Sequence, residues 1–268
     1  MTRTWCLTIS LALSSAGCGS TSELPDARLP VSTSSQPVPL ESVHIMVSAT
    51  ALFVDGDRVV RLDGSSVPER AMQGKLITPL HGALVSSDHA TSDRVVVELD
   101  KDHDATLLTQ ILFTAGEAQL SAPWLVVRGP DGRASVAITL PDRRTAAATA
   151  STPSRSSSER AGYANPVVTI DPNRGYLMEV RDKVYGDEIE LRCTSSPCTS
   201  WPTTELNRLS RRLKLDHPRD RAVLLAPTAN TDVQAIVSAM DATRNDAVTA
   251  RGARELFPTA LVGVGGVQ

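Results

Sequence analysis

Arg94 to Val127, RVVVELDKDHDATLLTQILFTAGEAQLSAPWLVV, is the stretch whose reading decides the fold. It opens with a β-rich run at an arginine and passes through the polar loop Asp100–Asp104. It continues with Leu107, Leu108, Ile111, Leu112 and Ala115 at helical spacing. That spacing puts all five on one face, and Asp104 stands where a side chain can cap the first turn. The closing apolar run, Leu125 to Val127, is too short for anything but a strand. Arg221 to Gly265, RAVLLAPTANTDVQAIVSAMDATRNDAVTARGARELFPTALVGVG, repeats the pattern. Here Thr231 starts a helix that buries Val233, Ile236, Val237 and Met240, and Ala260 to Val264 closes the sheet. Such a repeat predicts two similar small domains, each with its own core.

Working outward, Val43 to Val54 reads as one strand, with Asp55-Gly56-Asp57 as a hairpin turn and Arg58 to Leu62 returning. A helix carrying Leu76, Ile77, Leu80 and Leu84 precedes Arg94. Ser135 to Leu140 adds an edge strand after the Pro130-Asp131-Gly132 turn. In the second half Val167–Ile170, Gly175–Val180 and Glu188–Arg192 read as strands. Trp201 to Leu215 reads as a helix with Leu206, Leu209 and Leu213 inward and Arg208, Arg211 and Arg212 outward. The fold class is α+β: two domains, each a mixed sheet with two helices on one face in a ββαβαβ-like order. Their spans are 43–141 and 166–268, joined by a Ser/Thr/Ala-rich disordered linker over 142–165.

Of the 268 residues, 41% are hydrophobic and only 3% aromatic, so Val, Leu, Ile and Ala must fill the cores. A net charge of −3 with scattered Arg and Lys offers no basic stripe for nucleic acid. Residues 1–18 carry Arg3, an apolar stretch from Trp5 to Leu13, and then Ser15-Ala16-Gly17-Cys18. This is the layout of an export signal, too short to span a bilayer as a helix. The small residues before Cys18 are similar to the lipobox of bacterial lipoproteins, whose cysteine receives lipid. Ser15 departs from the usual leucine, so plain secretion is the alternative. Residues 19–42, rich in Ser, Thr and Pro, read as a flexible tether. Cys193 and Cys198 remain for the mature chain. A disulfide there would stabilise by about 2 kcal/mol, whereas a metal site lacks further ligands at close spacing.

The run VSATALFVDGDRVVRLDG, then GKLITPLHGAL, then VVVELDKDHDATLLTQILFTAGEAQL with its closing strand resembles the periplasmic domain of the ExbD/TolR family of biopolymer transport proteins. Asp100, Leu107, Leu108 and Ala115-Gly116 occupy that family's strand–acid–helix layout, and AIVSAMDATRND with ELFPTALVGVG is similar to its C-terminal end. The resemblance implies a non-catalytic binding or scaffolding protein, not an enzyme, with no cofactor. It implies an ExbB/TolQ-like motor protein or a TonB/TolA-like envelope protein as partner, or peptidoglycan, and pairing of the domains or a homodimer. Family members carry a transmembrane helix with an intramembrane aspartate, and this chain has neither, so proton transduction does not carry over. The alternative is an accessory part of such a proton-driven transport system. With lipid on Cys18 and Gly19 after it, the expected location is the periplasm, anchored to the outer membrane. The inner membrane and the soluble periplasm are the alternatives.

Asp100-Lys101-Asp102-His103-Asp104 is the densest polar cluster. Asp100, Asp102 and His103 are ligand candidates, and the loop alone carries a weaker metal-dependent-enzyme reading. Acids before a helix are otherwise expected for its N-terminus. Pro227 is read as standing where the first copy has Asp100. Arg208, Arg211 and Arg212 are candidates for an anionic ligand, against the plainer reading of a solvated helix face. His81, His89 and His217 have no serine or cysteine nucleophile placed beside them by a motif.

Overall fold

Short runs rich in Val, Leu and Ile make the sheet of each half, and apolar-faced helices lie on one side of it. The computed structural model describes residues 28–88, 92–139, 166–180, 188–245 and 256–263. The export signal, Cys18, the first part of the tether, the 142–165 linker and His89 lie outside the described residues.

The first half runs β1 (Val43–Val47), β2 (Ala51–Val54), β3 (Asp57–Arg61), a small pair β4 (Met72–Gln73) and β5 (Leu76–Ile77), α1 (Thr78–Ser86), β6 (Arg94–Glu98), α2 (Ala105–Glu117), β7 (Ala122–Gly129) and β8 (Gly132–Ala137). Its sheet order is β3-β2-β1-β6-β7-β8, with β1, β6 and β7 mutually parallel. The second half runs β9 (Val167–Asp171), β10 (Gly175–Glu179), β11 (Ile189–Arg192), α3 (Thr203–Asp216), β12 (Ala222–Pro227), α4 (Val233–Arg244) and β13 (Thr259–Val262). Its order, β11-β10-β9-β12-β13, repeats the first with parallel β9, β12 and β13 and, among the described residues, no strand of its own in place of β8. The α+β class with two sheets stands.

Several local expectations differ. Val43–Val54 is a hairpin rather than one strand. The Ser48 hydroxyl accepts the amides of Thr50 (3.3 Å) and Ala51 (3.0 Å), making a turn without glycine or proline. At the next turn Asp55 (φ 50°) and Gly56 (φ 93°) both take positive φ, as the Asp-Gly signal requires. Leu76 and Ile77 belong to β5, and the helix begins only at Thr78, next to Pro79. In the second half Asp232, not Thr231, caps α4, its carboxylate accepting the Ala235 amide at 2.6 Å. Asp104 likewise caps α2, through the Thr106 amide two residues on rather than three, at 2.6 Å. Matching the two caps sets Thr228, not Pro227, opposite Asp100.

The expectation of separate cores is corrected. Val43, Ile45, Val95, Val97, Leu108 and Leu112 on one side, and Val168, Ile170, Leu206, Ile236 and Val262 on the other, belong to one contiguous buried cluster. Two small sheets gain apolar burial by sharing the interior on their helix side. Ala105 and Val233, the first helical residues of α2 and α4, are 1% and 0% exposed, and these two helices pack on each other.

Candidate functional site

The acidic loop and its counterpart meet head-on. The Ala105 amide donates to the Thr231 carbonyl (2.7 Å) and the Val233 amide to the His103 carbonyl (3.0 Å), so Asp104 and Asp232 sit opposite each other in an antiparallel bridge. The Gln234 amide donates to the Lys101 carbonyl (3.1 Å), and the second Asp104 carboxylate oxygen accepts the Asn230 amide (3.2 Å). Both loops enter an aspartate-capped helix through extended backbone at the cap, and there the two copies pair about an approximate twofold. The candidates Asp100, Asp102 and His103 are thereby brought together at a joint between the halves.

Asp100 accepts the Asp102 amide (3.0 Å), the Arg28 amide (3.1 Å) and Arg28 Nε (3.3 Å), while the Arg28 guanidinium also pairs with Asp102. Burial pushes the Asp100 carboxyl up, but the amides of Asp102 and Arg28 and the Arg28 charge together outweigh it and hold it below the usual range. His103 is 8% exposed, and burial holds its imidazole below the ordinary value of 6.5 despite the pull of Asp100 and Asp102 in the other direction. Burial raises Asp232 as well.

These directions set a pH dependence. A histidine with a lowered folded pKa contributes stability that is present above 6.5 and lost as pH falls through its folded value. The raised Asp232 acts oppositely, but only in the window above 3.8 where carboxylates titrate. Urea midpoints should therefore fall between pH 7.5 and pH 5.5 in the native chain, and fall less in His103→Gln. An equal fall in both would remove His103 as the cause.

Sequence reading missed the segment that closes over this joint. Residues 28–42, expected as tether, are bonded into both halves instead. On the first half, Lys101 donates to the Arg28 carbonyl (2.8 Å), Arg128 to that of Pro30 (2.7 Å), Ser32 to that of Arg128 (3.0 Å), and Ser135 to that of Gln36 (2.8 Å). On α4, Gln234 reads the Val31 backbone twice, accepting its amide (2.7 Å) and donating to its carbonyl (3.0 Å). Asp241 accepts the Ser32 hydroxyl (2.9 Å) and the Thr33 amide (2.7 Å), and Asn245 donates to Thr33 Oγ1 (2.8 Å). Burial raises the Asp241 carboxyl against the hydrogen bonds from Thr33 and Ser32. A short segment held largely by polar contacts has no periodicity to read, and Arg28 and Glu41 are its only charged residues.

A second missed group lies on the opposite face of the first sheet. Glu98, 2% exposed, accepts Arg133 Nη2 at 2.6 Å, with His44 Nε2 at 3.4 Å. An acid inside the valine run RVVVE was the available signal.

The arginine candidates stand elsewhere. Arg208, Arg211 and Arg212 lie on α3, whose buried face is Leu206, Ser210 and Leu213; Arg208 and Arg212 are exposed and Arg211 half-buried. Cys193 and Cys198 are disulfide-bonded, and their amides donate to the carbonyls of Arg174 (3.2 Å) and Pro172 (2.7 Å) in the β9–β10 turn. His81 is on α1 and His217 ends α3. Among the described residues no group of His, Cys, Asp and Glu is placed to hold a metal ion, and no helix is long and apolar enough to cross a membrane. Comparison with known proteins finds no family model, curated protein or solved structure that matches the chain.

Proposed function

We propose that the chain is a non-catalytic binding or scaffolding protein of the bacterial envelope, exported and held by lipid on Cys18, with its duplicated ExbD/TolR-like halves acting as one unit. The observation that carries this reading is the use of the acidic loop. Its backbone and carboxylates are spent on the counterpart loop and on Arg28, which is what a joint needs and a catalytic loop cannot spare. Export agrees with the disulfide at Cys193 and Cys198. What such a unit offers a partner is surface, and the envelope supplies two kinds: peptidoglycan and the motor or bridging proteins named by the resemblance.

Two measurements test the proposal in the bacterial envelope. Metabolic labelling with a fatty-acid probe should mark the native chain and not Cys18→Ser. The full chain should sediment with purified peptidoglycan sacculi, more weakly when Arg208, Arg211 and Arg212 are all changed to Gln. Label retained in Cys18→Ser rejects the lipid site. A chain that stays in the supernatant rejects the wall as partner and leaves a protein partner as the reading.

A further inference from the structure

The segment Arg28–Gln36 spans both halves, and of its apolar side chains only Pro30, buried, and Leu29, half-buried, help to fix it. Val31 is 56% exposed, and Leu40, just beyond the segment, is 97% exposed. Its backbone pairs with the sheet at only two isolated positions, Val31 with Arg128 and Gln36 with Ser135. The bonds from Arg28, Val31 and Thr33 are exposed. A segment ordered by solvent-exposed polar bonds opens at far lower free energy than a core strand. Residues 37–42 lead into β1, so the segment can leave while that strand stays.

We propose that Arg28–Gln36 is a releasable clasp between the two halves, and that its release loosens the joint at residues 103–105 and 231–233. The inference rests on these bonds and not on the lipid or the wall. With the clasp off, Asp100 and Asp102 lose the Arg28 guanidinium, and Gln234 and Asp241 on α4 lose their bonds to Val31, Ser32 and Thr33. The joint then keeps its paired loops, the Thr139 backbone bonds to Ala260 and Val262 on β13, and the Arg244 bond to the Ala137 carbonyl.

Hydrogen exchange on the full chain tests it, with Gly129→Ala as the perturbation. A Cβ at Gly129 would lie 2.2 Å from the Ser34 carbonyl oxygen and 2.9 Å from Ala134 Cβ, so the clasp backbone must lift. In the native chain the amides of Val31, Ser32, Thr33, Lys101, Arg128 and Ser135 should exchange as one group, at least about tenfold faster than those of Val95–Val97. Gly129→Ala should speed this group about tenfold further, with Ala105 and Val233 following and β6 unchanged. Gln234→Ala, a mild change on a helix surface that removes both side-chain bonds to Val31, should act in the same direction and serves if Gly129→Ala does not fold. Clasp amides as slow as β6 would overturn release. Faster clasp exchange with Ala105 and Val233 unmoved would overturn its hold on the joint.

Discussion

Gly175→Ala is expected to lower stability by about 3 kcal/mol or more, the largest single-residue effect among the described glycines. Gly175 begins β10 directly after the Asp171–Arg174 turn, with φ at +111°, far from the left-handed well that other residues can occupy. Crowding adds to the backbone strain. A Cβ there would stand 2.2 Å from the Leu191 carbonyl oxygen and 3.0 Å from the Cys193 amide nitrogen, both backbone atoms of the neighbouring strand and its disulfide loop. Neither can yield without breaking the β10–β11 ladder, in which Gly175 is paired with Arg192. Gly74 supplies the comparison. Its φ is +62° and nothing lies within 4 Å of its Cβ position, so Gly74→Ala should cost about 1 kcal/mol from backbone preference alone. Urea midpoints of the two variants decide the matter. Similar losses would mean that the close approach of β11 is not what requires glycine at 175.

The same contrast between local and distant causes explains what the sequence could reveal. Helix α2 was legible because Leu107, Leu108, Ile111, Leu112 and Ala115 share one face, and all five are buried. Its cap at Asp104 was legible because capping is decided within three residues. The turn at Ser48–Thr50 was not, since it depends on which way one hydroxyl points. Leu76 and Ile77 have helical spacing with Leu80 and Leu84, yet pairing with Met72 and Gln73 holds them in a strand. Tertiary pairing overrode the periodic signal there.

At the candidate site, residue types were visible and roles were not. Asp100, Asp102 and His103 stood out as a polar cluster, but what they do depends on Thr231–Gln234 in the other half and on Arg28 before β1. No local pattern encodes either contact. The shared core has the same origin. Each half reads as complete by itself, yet the two apolar interiors are continuous, with α2 and α4 in contact between them.

Arg133→Met should lower stability by about 2–3 kcal/mol, and most of that loss should return when Glu98→Leu is added. Glu98 is the last residue of β6, and at 2% exposure its carboxylate has almost no water to rely on. Arg133 on β8 reaches it at 2.6 Å, while His44 on β1 stands 3.4 Å away as an electrostatic neighbour rather than a hydrogen-bond donor. Breaking a fully buried pair typically costs more, about 3–5 kcal/mol. The Arg133 side chain, however, is 27% exposed, and solvent already screens part of the attraction. Removing the arginine leaves a desolvated anion beside a weaker partner. Removing both charges leaves an apolar pair on a sheet face that already buries Met46, Val96 and Val126. The double variant should therefore lie closer to the native chain than Arg133→Met does, which is the reverse of additivity. Should the two variants prove equally unstable, the alkyl packing of Arg133, and not the charge of Glu98, would be what that face depends on.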